Sequence, residues 1–503
     1  MASEIQEFFR NKTIFLTGAT GFLGRVITEK LLRTTEVTRI YALIRPKRGL
    51  SIGERLKSWR KDPVFKELLR VKPEALERLT PIPGDCLQQD LSISASDQRI
   101  LISEVQVVIH GAGIIRPDEA LHLSLATNVR ATRRMLELAK QMIHLESFVH
   151  ISSAYSKYMK CPVEERFYPE HLSYSSDRIL AVGELLGHDL LDEITTVLVG
   201  SFPNTCLYTK ALAEDVILRE TGDLPLCVFR TGIIMSTYKE PVTGWAGHVS
   251  GPLGLLVPIL GGVVRVIQAD RRAQIAVVPA DFSANLILAC AWKTAENVRQ
   301  RGKPPIIYTL APSEENPLSC GTLIDSCLSQ CDRIPPTRMM WYPFLLCISS
   351  GFFYQLATFF LHILPGYCLD ILLRLQWRES VLMNLYERIH KNISDLAPFS
   401  NHSWHFCMDN TRELLDSLSE QDRRMYDFDM ANLDWQDYFR CVMEGMRLYI
   451  AKDQPTLESY GKGLRLRNRL KIQHYVFCAF LVSTAAYVLW QLARMFIESI
   501  TES

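Results

Sequence analysis

Short apolar runs alternate with stretches of helical period over about the first 290 residues of this chain. Thr13–Thr17 (TIFLT) and residues 39–45 (RIYALIR) read as buried strands. Residues 105–110 (VQVVIH), 147–152 (SFVHIS) and 226–230 (LCVFR) have the same character, and a further strand is expected to end at Asp85, in Pro83-Gly84-Asp85. Between them, segments such as residues 128–140 place apolar side chains at helical spacing. Strand, helix, strand in repetition predicts an α/β fold. Its parallel sheet is covered on both faces, because each crossover lays a helix over the sheet.

The pattern then changes. Residues 341–369 hold no Asp, Glu, Lys or Arg, and Pro343, Gly351, Pro365 and Gly366 interrupt them. They are long enough to span a bilayer and read as a buried or membrane-touching helical pair. Residues 370–451 are helical in pattern and mixed in charge, with Trp435, Tyr438 and Tyr449 near their end, which predicts a smaller all-helical domain. Residues 475–493 are uncharged and apolar over the length of a transmembrane helix. Lys462, Arg465, Arg467, Arg469 and Lys471 precede this run, and Arg494 follows it. That asymmetry predicts a single-pass C-terminal anchor with the bulk of the chain in the cytosol. The expected organisation is a nucleotide-binding domain over 1–300, a membrane-proximal connection over 301–369, a helical domain over 370–455 and an anchor over 475–496.

Composition narrows the function classes. Fifty-six Lys and Arg balance fifty-five Asp and Glu across 503 residues, a formal charge of +1, which argues against a nucleic-acid partner. Hydrophobic residues at 48% exclude a disordered chain. Thirteen Cys occur without a CxxC pair, and Cys327 and Cys331 have no His near enough in sequence to complete a zinc set. Reduced thiols, a cytosolic setting and no metal are expected. Residues 1–10 are polar and do not read as a secretory signal. The triplets at Asn11, Asn392 and Asn401 therefore read as chance glycosylation matches.

The chemistry begins after the first strand. Thr17-Gly18-Ala19-Thr20-Gly21-Phe22-Leu23-Gly24 places three glycines in a GxxGxxG spacing and opens a helix. Gly18 allows a tight turn, Gly21 close approach to a pyrophosphate, and Gly24 packing of helix on strand. Thr20, Phe22 and Leu23 lie in the same loop. The helix N-terminus offers free N–H groups to phosphate. This is a dinucleotide site on a Rossmann-type doubly wound sheet. An acidic residue at the end of the second strand would suit NAD; here stand Arg45, Lys47 and Arg48, which suit the 2′-phosphate of NADPH. Asp85 could accept from the adenine amino group. Gly111, in Gly111-Ala112-Gly113, lets backbone pass close to the cofactor.

These residues resemble an extended short-chain dehydrogenase/reductase. Lys239-Glu240-Pro241 with Gly244-Trp245, Val278-Pro279-Ala280-Asp281 with Asn285, and Asp434-Trp435, Tyr438 and Gly445-Met446-Arg447 are similar to motifs of alcohol-forming fatty acyl-CoA reductases. The resemblance runs from Lys12 to about Lys452. It implies NADPH-dependent reduction of a long-chain fatty acyl-CoA to an aldehyde and then to a primary alcohol, at a membrane. With no SKL-type ending in Thr501-Glu502-Ser503, endoplasmic reticulum is expected over peroxisome. Chain length and oligomeric state are not legible.

The resemblance also implies site residues. In His150-Ile151-Ser152-Ser153-Ala154-Tyr155, Ser153 matches the catalytic hydroxyl, with Ser152 the alternative. Asn128 matches an Asn placed near the site. Lys210 matches the Lys that binds the nicotinamide ribose and lowers a Tyr pKa. Four residues before it, where the family has that Tyr, this chain has Cys206. Tyr208 is two residues before Lys210 and so does not share its helix face. A free thiol is more acidic than a phenol, but it is shorter and a weak donor, so a water relay would be needed. The other reading is a catalytically impaired homologue that binds cofactor or acyl-CoA in a regulatory role. A sugar-nucleotide or steroid-type relative would share only the first domain.

Overall fold

The computed structural model describes residues 3–46, 51–157, 162–247, 251–297, 303–376, 379 and 382–501. Seven parallel strands form the main sheet: β1 (Thr13–Thr17), β2 (Arg39–Ile44), β3 (Leu79–Pro83), β4 (Val107–His110), β5 (Ser147–Ser153), β6 (Leu226–Thr231) and β7 (Ile306–Leu310). Their order across the sheet is β7-β6-β5-β4-β1-β2-β3. Every residue of β1, β4 and β6 is buried, the burial expected of strands covered on both faces. The order reverses between β1 and β4, and ligands of such sheets bind in the crevice at the carboxyl ends beside that reversal. β7 lies beyond position 300, in the stretch whose pattern reads as a connection.

The chain forms two compact units that interleave along the sequence. One comprises residues 1–248, 271–322 and 398–445, and the other residues 249–270, 323–397 and 446–503. The helical C-terminal stretch is thus divided. Asp409–Ser417, Glu420–Met425 and Trp435–Gly445 belong to the sheet's unit, and Leu382–Ser400 falls mostly in the other.

The motifs that carry the family resemblance meet inside the first unit. Asp281 opens the helix Ala280–Glu296 and accepts from the backbone N–H groups of Tyr238 (2.8 Å), Lys239 (2.8 Å) and Glu240 (3.1 Å). The turn so held aims Glu240 at Lys30 and at Arg33 (2.7 Å), both on the helix Phe22–Thr34. Lys30 also donates to the Met425 carbonyl. The Tyr438 hydroxyl donates to the Ser236 carbonyl at 3.1 Å. Gly244 has φ +68°, and a Cβ there would stand 2.1 Å from the Cys441 carbonyl oxygen; one on Gly445 would stand 1.6 Å from the Gly244 oxygen. Backbone lies on backbone, and only glycine fits at either place.

In the second unit, residues 341–369 do not form a helical pair. Gly351–Thr358, a π turn at Phe359–Ile363 and Leu364–Leu375 run on as one helix. Pro365 lies inside this continuous helix and has no N–H for the Leu361 carbonyl, which accepts instead from Arg265 Nη1 at 3.2 Å. The tail is one helix, Leu457–Thr501. Both helices are long and apolar enough to cross a membrane. The apolar stretch of the tail has none of its described residues buried.

Overpacking of this kind costs about 1–3 kcal/mol and sometimes more. Gly445→Ala is therefore expected to lower stability by at least that amount in chemical denaturation, with Gly53→Ala, where a Cβ meets nothing within 4 Å, as the neutral control.

Candidate active site

The glycine loop closes by contact. Gly18 has φ +77°, and a Cβ there would lie 2.6 Å from the Gly111 carbonyl oxygen; one on Gly24 would lie 2.2 Å from that of Gly18. Gly21 is the N-cap of the helix Phe22–Thr34 and supplies no capping side chain. The first N–H groups of that helix are thereby left to a ligand, as an anion site requires. The Phe22 ring stacks on Trp245 at 5.1 Å, and the Arg25 guanidinium lies over Trp245 at 5.0 Å. Thr17 at the end of β1 pairs with His110 Nδ1 at 2.8 Å, and its hydroxyl accepts from the Ala112 N–H at 3.0 Å. Burial, then the nearby Lys210 charge, pushes His110 down to about 3. It is neutral at physiological pH and shapes the turn after β4.

At the end of β2, Arg45 is exposed, and its carbonyl accepts from Arg55 Nη1 at 2.6 Å. Lys47 and Arg48 lie outside the described residues. Asp85 follows β3 and accepts from the Leu87 N–H at 3.0 Å. Arg45 and Asp85 flank one buried thiol: Cys86 is pushed up to about 12 by burial, with Asp85 adding and Arg45 opposing. Arg55, brought to Arg45 by the helix Ile52–Trp59, has no linear signal.

Asn204 caps the helix Thr205–Glu220 by accepting from the Leu207 N–H at 2.9 Å. Cys206, Lys210 and Glu214 recur every fourth residue and share its inward stripe. Lys210 Nζ donates to the Ile151 carbonyl of β5 at 2.8 Å. A Cβ on Gly113 would stand 3.1 Å from both Lys210 Nζ and Asn128 Oδ1, so the glycine turn, the Lys and the Asn occupy one spot. Asn128 sits on a π turn, Leu125–Arg130. It accepts from the Ile114 N–H (2.8 Å) and donates to the Ile114 carbonyl (3.0 Å) and Thr209 (2.9 Å). In this arrangement it clamps the turn after β4 onto the Lys210 helix.

The two serines separate. Ser152 is buried and donates to Glu214 Oε1 at 2.6 Å. Ser153, at the very end of β5, is half-buried and accepts from the Tyr155 N–H at 3.2 Å. Tyr208 packs edge-on against Phe202 at 5.5 Å, off the Cys206–Lys210 stripe. Tyr155 accepts from the Ala276 N–H at 3.0 Å and is boxed in by Phe399, Trp404 and Phe406. Cys206 is buried on the same stripe as Lys210. Burial pushes its thiol up to about 11, with Lys210 pulling the other way. Burial raises the Tyr155 and Tyr208 phenols too. Burial also lowers Lys210, against the opposing influence of Cys206 and Glu214.

Beneath the stripe lies a charge network that pattern reading misses. Glu214 pairs with Arg230 of β6 (2.7 Å) and Lys157 (3.2 Å) and accepts from Ser156 (3.0 Å). Burial alone would raise its carboxyl, but Arg230, Lys157 and the Ser152 hydroxyl outweigh it and hold it far below the usual range. The only linear signal is its place four residues after Lys210. A cavity of about 1070 Å³ in the same unit opens on Lys30, Arg33, Glu240 and Asp281 rather than on Cys206.

A parallel sheet with a glycine cradle at its switch point, and a Lys-bearing helix beside it, defines a nicotinamide-dinucleotide oxidoreductase of the short-chain dehydrogenase/reductase type. Comparison with known proteins narrows the class. A male sterility protein family model matches residues 16–287, and a second of the same description matches residues 361–453. The chain is 35% identical to "Fatty acyl-CoA reductase wat" of Drosophila melanogaster over 98% of its own length and 94% of that protein. It is 35% identical to "Fatty acyl-CoA reductase 2" of Mus musculus, over 97% and 93%. This chain belongs to the fatty acyl-CoA reductase family. Its fold is shared with the terminal R domain of the myxalamid PKS-NRPS pathway (TM-score 0.58, 17% identity, 88% and 92% covered). The reductase domain of a Mycobacterium tuberculosis nonribosomal peptide synthetase is similar too (TM-score 0.55, 19% identity, 87% and 92%).

Removing one partner of a buried ion pair costs about 3–5 kcal/mol, and Glu214→Gln is expected to lower stability by that order. Because the folded pKa of Glu214 is depressed, its stabilisation is complete above the unfolded value of about 4.3 and is lost as pH falls below it. Denaturation midpoints measured across that window should fall less steeply in the variant than in the wild type.

Proposed function

We propose that this protein reduces long-chain fatty acyl-CoA to a primary fatty alcohol with NADPH, through an aldehyde. The observation that carries this reading is Lys210 beside the glycine turn, on one helix stripe with Cys206, while β5 ends next to it in Ser153. When bound, the cofactor supplies a hydride for each of two reductions, in which CoA leaves as its thiol and the aldehyde then becomes the alcohol. The residues that would hold it are Gly18, Thr20, Gly21, Phe22, Leu23 and Gly24 at the pyrophosphate, Asp85 at the adenine, and Gly111, Asn128 and Lys210 towards the nicotinamide. The cradle fits such a group, since Gly21 caps the helix Phe22–Thr34 without a side chain and leaves its N-terminus open to a pyrophosphate. Exposed Arg45 beside Arg55 supports a 2′-phosphate and hence NADPH, with Lys47 extending the basic end.

Ser153 donates to the carbonyl oxygen as negative charge develops there. Cys206 retains its proton at neutral pH and so acts as a donor rather than a nucleophile, directly or through one water. Lys210 holds the nicotinamide ribose and keeps positive charge beside the thiol. One observation favours a second reading. A buried, weakly acidic thiol in the proton donor's place suits a catalytically impaired homologue that binds cofactor or acyl-CoA in a regulatory role. The tail helix and its basic flank support a single-pass anchor with the bulk in the cytosol; of the two membranes the family resemblance suggests, we take the endoplasmic reticulum over the peroxisome.

NADPH consumption and alcohol formation across a panel of acyl-CoA thioesters separate the readings. If the thiol is the donor, the wild type makes alcohol and Cys206→Ala loses about 10²–10⁴ in rate. A silent wild type with an active Cys206→Tyr variant supports the regulatory reading. Silence from both, in folded protein that binds NADPH, sinks the reductase reading for those substrates. Arg45→Asp should shift the preference between NADPH and NADH about tenfold or more towards NADH, the size of one charge-assisted contact.

A further inference from the structure

The helix Gly351–Leu375 is inside-out. Among its residues only Thr358, His362, Gly366 and Asp370 are buried, and none of these is an apolar side chain. The outward side carries Phe352, Phe353, Leu356, Phe360, Ile371 and Leu375, with Phe352 at 71% and Leu375 at 73% exposure. A surface helix in water shows the reverse, an apolar stripe inward and a polar face outward. The buried residues recur every fourth position. That spacing drifts around an α-helix of 3.6 residues per turn, and the wider π turn at Phe359–Ile363 draws the stripe back towards one line.

The polar stripe is bound to its own unit. His362 Nε2 accepts from the Arg265 N–H at 2.9 Å, and its Nδ1 meets His390 at 3.0 Å. Gly366 lets the Tyr386 ring come within 3.0 Å of where a Cβ would be. Asp370 accepts from the N–H groups of Leu382 (3.2 Å) and Met383 (3.1 Å), capping the next helix. These bonds fix which face looks outward.

We propose that this outward face lies flat in the surface of a lipid bilayer, as an in-plane membrane contact separate from the tail helix. The inference rests on the membrane-anchored reading above and adds a second point of attachment. Continuity with the tail identifies lipid as the occupant. The tail changes from basic to apolar at His474-Tyr475, where Trp341 Nε1 donates to His474 at 3.0 Å and Tyr342 packs at 5.6 Å from His474 and 6.4 Å from Tyr475. Trp and Tyr favour the headgroup level of a membrane. The chain leaves that level at 341–342 and enters the apolar helix at Gly351, so the helix begins at the interface. Its length of about 37 Å, from 25 residues at about 1.5 Å each, would cross a bilayer. A crossing would put the Arg265 guanidinium, which donates to the Leu361 carbonyl at 3.2 Å, near the hydrocarbon centre, where charge is expelled. Lying in plane, the helix sinks its apolar face and leaves Arg265, His390 and Asp370 on the watery side.

Depth measurements on the full chain in phosphatidylcholine–phosphatidylserine vesicles test this. An environment-sensitive fluorophore on a bio-orthogonal amino acid is placed in turn at positions 353, 360, 371 and 482, and quenched by lipids carrying a nitroxide at the headgroup or deep in the acyl chain. Equal, shallow quenching at 353, 360 and 371 is the expected result, with deep quenching at 482. A gradient along 353, 360 and 371, with the middle position deepest, would mean a span and would overturn the proposal. Absence of lipid quenching at those three would also overturn it, and cross-linked dimers through them would identify a second copy as the occupant. In either case deep quenching at 482 leaves the anchor standing. Shallow quenching at the three with none at 482 keeps the in-plane helix and removes the tail anchor.

Discussion

The site depends on one buried ion pair. The helix Thr205–Glu220 is buried from Thr205 to Ile217, and little in its sequence distinguishes one rotation about its axis from another. Glu214 settles the matter by pairing with Arg230, a side chain with no exposed surface. Ser152 donates to Glu214, and Ile151, its neighbour in β5, accepts from Lys210. Two bonds to successive strand residues set both rotation and height. A pair of this kind adds little net stability over apolar packing. What it adds is intolerance of error, since a slip in either direction strands Arg230 without a counter-charge. Cys206 and Lys210 inherit that precision because they lie on the same stripe.

A second constraint acts through the absence of side chains. Gly18, Gly24 and Gly111 let the ends of β1 and β4 and the first helix touch by backbone alone, and Gly244 and Gly445 do the same between two distant segments. The second group belongs to the motifs that mark the family most specifically. Those motifs do not meet the Cys206–Lys210 stripe. Asp281 holds a turn, that turn aims Glu240 at the helix of the cofactor cradle, and Trp245 stacks on Phe22 at the mouth of the cradle. They identify the family because they build its scaffold.

Environment also shifts acidity away from what residue type sets. Burial pushes the Cys206 thiol up to about 11 and raises the Tyr155 and Tyr208 phenols as well, so the order of the two residue types is kept. The neutral thiol loses little on burial, whereas the thiolate loses its hydration, and the partly desolvated Lys210 restores only some of it. Position in the fold, as well as residue type, sets how readily Cys206 gives up its proton.

Much of the architecture was legible because it is periodic. The strands of the parallel sheet are continuous apolar runs, the cradle is a glycine spacing after a strand, and the tail is an uncharged run behind a basic flank. Each is a local property of consecutive residues. Strand ends shifted by a residue or two: Arg45 lies outside β2, and β4 starts at Val107 rather than at 105. Pattern reading misses the seventh strand, although Ile306–Leu310 is a short apolar run of the same kind between Pro305 and Pro312. The capture of Asn128 by Ile114 and Thr209 and the single helix at 351–375 were not legible. By itself the sequence determined the class of fold, the glycine cradle, the helix that carries Lys210 and the apolar tail, because these depend on short-range pattern and residue chemistry. Only the tertiary structure decided that Ser152 is tied to Glu214, that burial raises the Cys206 thiol and which side of an apolar helix faces outward. Those depend on what lies across the fold, and desolvation and long-range pairing have no address in the linear order.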